Sequence, residues 1–552
     1  MRNLLIKTDL RNKHRNLTRS HVSMMSTKRL TVLLALLTAL LGCSPAGPSL
    51  PSAQTLRRGL GGEPSTLDPA RAVDTFSIEV LRDLYEGLTS ETPTGEVIPG
   101  VASSWTVDTN GTTYTFELRP DAFWSNGQVV RAEDFVRAWR RVLDPKQSSP
   151  LADDLRIISG ASSIISGKSA PDSLGVYAAS DRVLVVKLEM PAPYLPQVLT
   201  HSVAYPIYSA DSAASHSPSA WVSNGPYVLS SWEPGTAIKM TRNSKYSGRE
   251  SVHIPNVTYE IVPDENAQLS RYRAGEIDIT DTVPANALPA LQAGHSKELV
   301  IAPFLATAYY GLNLAAPPFK DNRKLRQAVS MAIDRKRLVD TLGFGQLEAF
   351  GFVPPGAWNY TPQSWRWKNL SDDERLAEAK KLYAEAGYSE RKPLHLRLLY
   401  NSNPTIRNTA IVIASMWKEA LGVDTQLIEE EYRVFLQSRL DKSEWDVVRL
   451  GWTADFNDAS NFLDVFRDHS GNNDSGYTNS SYEASLDKAA HTADPQSRRS
   501  ILEYSEQTML EDYPIIPLYF YVSKRLVKAY VHGVQSNPLN RIRSKDLTII
   551  AH

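Results

Sequence analysis

The 552-residue sequence is 42% hydrophobic and 22% charged, with 60 Lys and Arg against 61 Asp and Glu, a net charge of −1. So even a balance argues against bulk electrostatic attachment to nucleic acid or to an anionic membrane surface. The length exceeds what one hydrophobic core serves, and a single cysteine rules out an internal disulfide frame, so about two or three domains must rest on apolar packing.

At the N-terminus, Lys28 and Arg29 precede an apolar run from Leu30 to Leu41, the charged start and apolar middle of a secretory signal. The run is about a dozen residues and the roughly 20 needed to span a bilayer are absent, which argues against a retained anchor helix. Cys43 follows Leu40-Leu41-Gly42. This resembles the bacterial lipobox, in which cleavage leaves the cysteine at the new N-terminus and its thiol carries lipid. The alternative is an ordinary signal with an incidental cysteine. Residues 1–23 carry scattered Arg and Lys and read as an upstream extension, with Met24 or Met25 the better start. Residues 24–42 are then the signal peptide, and 43–54, rich in Pro, Ser and Gly, a flexible tether.

Strand and helix signals alternate beyond the tether, predicting an α/β architecture. Trp105 to Leu118 reads as a hairpin turning at Asn110-Gly111, and a second Asn-Gly turn, Asn126-Gly127, leads into Val129 and Val130. Phe135, Val136, Trp139, Val142 and Leu143 recur at helical spacing before Pro145. Ser371 to Glu374 is a capping box opening a helix with Leu376, Ala379, Leu382 and Tyr383 on one face and Gly387 beyond its end. Thr405 to Leu421 predicts another helix, Val423 to Ile428 a strand after it, and Val447 to Trp452 a further strand.

Signals for a reaction centre are missing. The sequence has no His-Glu-x-x-His, cysteine cluster, Gly-x-Ser-x-Gly or phosphate loop, and Gly59 to Gly62 opens no plausible dinucleotide unit. No histidine pair has metal-ligand spacing on a credible helix. The expectation is a binding protein: no enzyme, no catalytic residues, no cofactor, no metal. The 24 Tyr and 11 Trp suit half-wet clefts, although core packing explains any single one equally well.

A run of motifs gives that expectation a frame. Glu63 to Pro69, Leu84 to Leu88, Pro99 to Trp105, Tyr114 to Arg119, Phe123 to Gly127, Ala132 to Phe135, Asn224 to Tyr227, Arg271 to Asp278, Phe352 to Pro355, Gly451 to Asp455 and Ile516 to Tyr519 together resemble the extracytoplasmic solute-binding proteins of peptide/nickel ABC importers. The resemblance implies a periplasmic-binding-protein-like fold of three domains, two lobes hinged over a ligand. The first lobe would take 55–90, 222–305 and 522–552, with 91–221 inserted into it, and the second 306–521. Chain crossings near Phe304 and Tyr521 would be the hinges.

It also implies a monomer, anchored in the periplasm by lipid on Cys43, that hands short peptides to the permease and ATPase subunits of an importer. Asp455 matches the aspartate that meets the peptide ammonium, and Arg449 and Arg439 match positions for its carboxylate, a group that arginine's planar fork holds bidentately. Trp452, Tyr309, Tyr310, Tyr519 and Gly451 would line the cleft, although each of the four aromatics reads equally as core. On the residues alone, Asp455 reads rather as a turn cap helped by Asn457 and Asp458, and Arg439 equally as a solvated helix-end charge. The chain departs from the family at Ala306 and Thr453, which face a disulfide pattern, and at about Gly343 and Ile406, where a lysine and a histidine are replaced, with Arg407 beside the latter. Fewer cations would narrow peptide length, or favour a modified peptide such as a cell-wall fragment. Oligosaccharide or metal-chelate binding, and a signalling or adhesion role, stay open at this point.

Overall fold

The computed structural model describes residues 54–208, 221–294, 297–468 and 470–550. The signal peptide, Cys43 and nearly all of the tether lie outside the described residues.

Among the described residues, three sheets of four or more strands organise the fold. Thr55–Leu60 pairs in parallel with Asn256–Ile261, which continues antiparallel through Ala237–Arg242 to Tyr227–Glu233. A second four-stranded sheet runs Ala102–Val107, Thr113–Leu118, Val183–Lys187, Val176–Ser180, all antiparallel. The third has six strands, in the order Leu347–Glu348, Ile515–Leu526, Leu299–Leu312, Val447–Thr453, His395–Asn401, Asp424–Glu430. Both four-stranded sheets share one apolar core, which also takes Val527, Val531 and Leu547 from the chain end, while the six-stranded sheet has its own core from Leu305 to Tyr519.

Local chemistry explains the elements that the sequence predicted. The hairpin closes where Gly111 adopts φ 74° and the Asp108 carboxylate accepts from the N–H groups of Thr112 and Thr113 at 2.8 and 2.9 Å. Trp105 then sits opposite Phe116. The helix Ala132–Leu143 is pinned by Asp134, which accepts from the Arg131 N–H and from Trp124 Nε1, each at 2.9 Å. The capping box is present at Ser371 and Glu374 on the helix Asp372–Glu385. Pro404–Leu421 ends at Gly422 with φ 72°.

Two long strands join the cores. Leu299–Leu312 and Ile515–Leu526 pair from Leu299 opposite Leu526 to Pro303 opposite Val522, and resume at Thr307 opposite Phe520. Phe304 to Ala306 face Tyr521 alone across this bulge, with the rings of Phe304 and Tyr521 6.3 Å apart. Beyond the strands the chain end docks on the first core: Ser544 accepts from Arg58 Nη1 at 2.9 Å and donates its N–H to Asp83 at 3.0 Å, and Arg541 forms a buried ion pair with Glu91.

Candidate functional site

The helix Thr75–Leu84 is capped by Asp74 and buries Ser77, Val80, Leu81 and Leu84 in the first core. Its other face, Thr75, Ile78, Glu79 and Arg82, recurs at helical spacing and lines a cavity of about 490 Å³. Opposite, Thr453, Ala454 and Asp455 line it from the end of the strand Val447–Thr453, with Phe304 and Leu305 at the bulge between them. A cavity of this size, walled by both cores at their junction, fits a small-molecule or peptide site.

Asp455 is exposed to this cavity. Its carboxylate accepts one long bond, from Asn461 Nδ2 at 3.3 Å, and among the described residues no cation pairs with it. Arg541 reaches only its backbone oxygen, at 3.4 Å. Surrounding protein pushes its pKa up, the Asn461 bond and the field of Arg541 opposing. The neighbours that suggested a turn cap have other work: Asp458 takes both terminal nitrogens of Arg498 at 2.7 and 2.8 Å and accepts from the Ser460 N–H, and Asn457 accepts from the Trp358 N–H. Asn461, which sequence reasoning missed, also accepts from Trp452 Nε1 at 3.0 Å and from the Asp455 N–H at 3.3 Å. Its side chain fixes the half-buried Trp452 and the carboxylate together, and nothing in its local sequence marks it.

The remaining candidate residues do not gather around that cavity. Arg449 lies on the same strand, half-buried, and donates to the Tyr521 hydroxyl at 2.7 Å. Gly451 is exposed beside it, where an added Cβ would sit 3.6 Å from that hydroxyl. Arg439 ends the helix Tyr432–Ser438, with Nη1 3.7 Å from Asp474 and a buried Nε that has no partner among the described residues. Tyr309 is buried against Phe352 and Phe466, Tyr310 against Trp417, and Tyr519 edge-on to Tyr521. These three tyrosines pack into the second core, leaving Trp452 as the accessible aromatic of the set. Ala306 and Thr453 stand directly opposite one another across two strands.

Charges brought by distant segments complete the site. Asp154 is pushed up to about 7, by burial first and then by the field of Asp455. Asp281 lines the cavity and is raised to about 6 by burial and Glu79, while burial holds His201 neutral, at about 3. Tyr194 stacks on Phe456, ring centroids 5.4 Å apart, bracing the Asp455 loop. Among the described residues there is no group of three or more metal-ligating side chains and no helix long and apolar enough to cross a membrane.

Known proteins place this architecture. The family model of bacterial extracellular solute-binding proteins, family 5, middle region, matches residues 96–474. The periplasmic murein peptide-binding protein MppA of Escherichia coli K12 is 35% identical over 92% of this chain and 95% of its own length, and the periplasmic oligopeptide-binding protein OppA of Salmonella typhimurium 36% over 95% and 99%. Among solved structures, MppA described as the unliganded open form superposes with a TM-score of 0.83 at 34% identity, covering 92% of this chain and 99% of that one. Haemophilus influenzae OppA in complex with the peptide RPPGFSPFR gives 0.73 at 33%, covering 91% and 100%. The chain therefore belongs to family 5 of the bacterial extracellular solute-binding proteins and has their α/β, two-lobed, multi-domain fold.

Proposed function

We propose that the protein is the extracytoplasmic substrate-binding component of an ABC importer, capturing oligopeptides between its lobes and delivering them to the permease and ATPase subunits. The observation that carries this is Asp455, a carboxylate to which no described residue brings a cation, in a cavity between two cores. A free peptide supplies an ammonium there whatever its side chains, and a ligand bonded to both lobes stabilises their closure. The partners of Asp455 support the anchor reading over the turn-cap reading. Arg449 is offered as the carboxylate partner, with Trp452 and Gly451 against the peptide backbone. Arg439 is offered as a second partner for that carboxylate.

The lobe boundaries belong to the same reading: 55–90, 222–305 and 522–552 as the first lobe, 91–221 as its insertion, 306–521 as the second, with the bulge at Phe304 and Tyr521 as hinge. Lipid on Cys43 would hold the protein at the membrane on the periplasmic side. The likeness to a murein peptide-binding relative favours one second reading, a cell-wall peptide as the preferred cargo.

Native mass spectrometry of protein purified without denaturation, followed by sequencing of released material, tests both. A mixture of short peptides is expected, a single cell-wall fragment would move the second reading to the front, and a single non-peptide mass would overturn Asp455 as an ammonium anchor.

A further inference from the structure

Three arginines line the cleft cavity, and two of them are held in place. Arg525 donates to Asn540 Oδ1 at 2.6 Å, and Arg541 pairs with Glu91 and donates to Thr200 Oγ1 at 2.9 Å. Arg82 differs. Among the described residues its guanidinium makes no hydrogen bond and no ion pair, and its Nε is buried without a partner.

The acids whose fields reach Arg82, Glu79 and Glu91, are paired with Arg58 and Arg541, and Asp281 on the same wall accepts from the backbone of Gly61. Burial first and the like charge of Arg541 push Arg82 down to about 10, the fields of Tyr205, Glu91 and Glu79 opposing, so it stays protonated at neutral pH. A cation in that setting gains most from an anion that the protein itself does not provide.

We propose that Arg82 is a first-lobe anchor for a ligand carboxylate, so that the cleft selects peptides carrying an acidic group close to the ammonium held by Asp455. The idea rests on the peptide-receptor reading and deepens it. Arg82 stands on the helix of the first core and Asp455 at the strand end of the second, so a ligand with both charges bridges the lobes through two charge-assisted bonds. The carboxylate comes either from an acidic side chain or from the C-terminus of a dipeptide. A purely structural role also exists, because Arg82 lies in the last turn of its helix, where a cation complements the helix dipole. That role affects folding and is blind to ligand charge.

Calorimetry on the full-length protein separates these. Wild type is expected to bind Ala-Glu-Ala about tenfold more tightly than Ala-Gln-Ala, with the preference abolished in Arg82→Gln, partly kept in Arg82→Lys, and Ala-Gln-Ala bound alike by all three. If the carboxylate is instead C-terminal, the Arg82→Gln loss falls on Ala-Ala and spares its amide. Equal wild-type affinity within both pairs, or an Arg82→Gln loss shared by all four ligands, overturns the Arg82 assignment and leaves the peptide reading standing. Failure of wild type to bind any of the four overturns the Arg82 assignment, and with a non-peptide mass released from the purified protein it overturns the peptide reading as well.

Discussion

Glu506 and Asp455 both belong to the half of the molecule built on the six-stranded sheet, yet the fold treats the two carboxylates in opposite ways. Glu506 is fully buried and accepts from the N–H groups of Phe352, Val353 and Gln363 and from the Tyr360 hydroxyl, at 2.5 to 3.2 Å. Asp455 has one donor at 3.3 Å and an open cavity before it. Folding completes the first group and leaves the second incomplete. The contrast separates a carboxylate that organises a core from one reserved for something that arrives later.

The contrast can be broken from the Glu506 side first. Glu506→Ala strands three backbone donors and a hydroxyl in the core and should cost about 4 kcal/mol in denaturant unfolding. A loss under about 1 kcal/mol would mean that water replaces the carboxylate.

The pH response follows from the same group. Burial lifts the folded pKa of Glu506 to about 7 against an ordinary 4.5, so the folded state holds a proton that the unfolded chain releases. Its contribution is present in full below about pH 4.5 and is lost as pH rises through 7, by up to about 3 kcal/mol. Unfolding midpoints between pH 4.5 and 8 should trace that decline in wild type and lose this component in Glu506→Gln.

On the other side, Asp455→Ala should weaken peptide binding about a hundredfold with almost no change in the unfolding midpoint. Equal losses in affinity and stability would make Asp455 a structural residue after all. The gentlest probe is to staple the strand that carries it. Ala306→Cys with Thr453→Cys places cysteines in directly opposed positions, and oxidation should add about 2 kcal/mol, reversed by reductant. Absence of the crosslink under oxidising conditions would show that the strand end beside Asp455 is not held in this register.

The local code was readable from sequence wherever partners lie close along the chain. The Asn110-Gly111 hairpin, the Ser371 capping box, the helix ending at Gly422 and the strand before Asp455 all depend on neighbours within a few positions. The strand expected at Val423–Ile428 is found one residue later and longer, at Asp424–Glu430, because its limits are set by pairing with His395–Asn401. Asp455 itself was legible only through family motifs. Asn461, Tyr521, Arg541 and Arg82 had no local signal, since each acquires its meaning from a segment on another element. For Tyr309, Tyr310 and Tyr519 the sequence left core and cleft equally open, because an aromatic on a central strand reads the same whichever face it takes, and the structure buries all three.

The docking of residues 541–547 on the first core has a consequence for the order of folding. Arg58 waits for Ser544, 486 positions away, and Glu91 for Arg541, 450 positions away. Until those last residues emerge, Asp83 and Glu91 lack their closing donors, and the first core also lacks Val527, Val531 and Leu547. The portion of the chain that is delivered first is thus sealed last. A chain arrested before residue 541 would keep its six-stranded sheet and leave the opposite wall of the cleft unfinished until residues 541–547 are added.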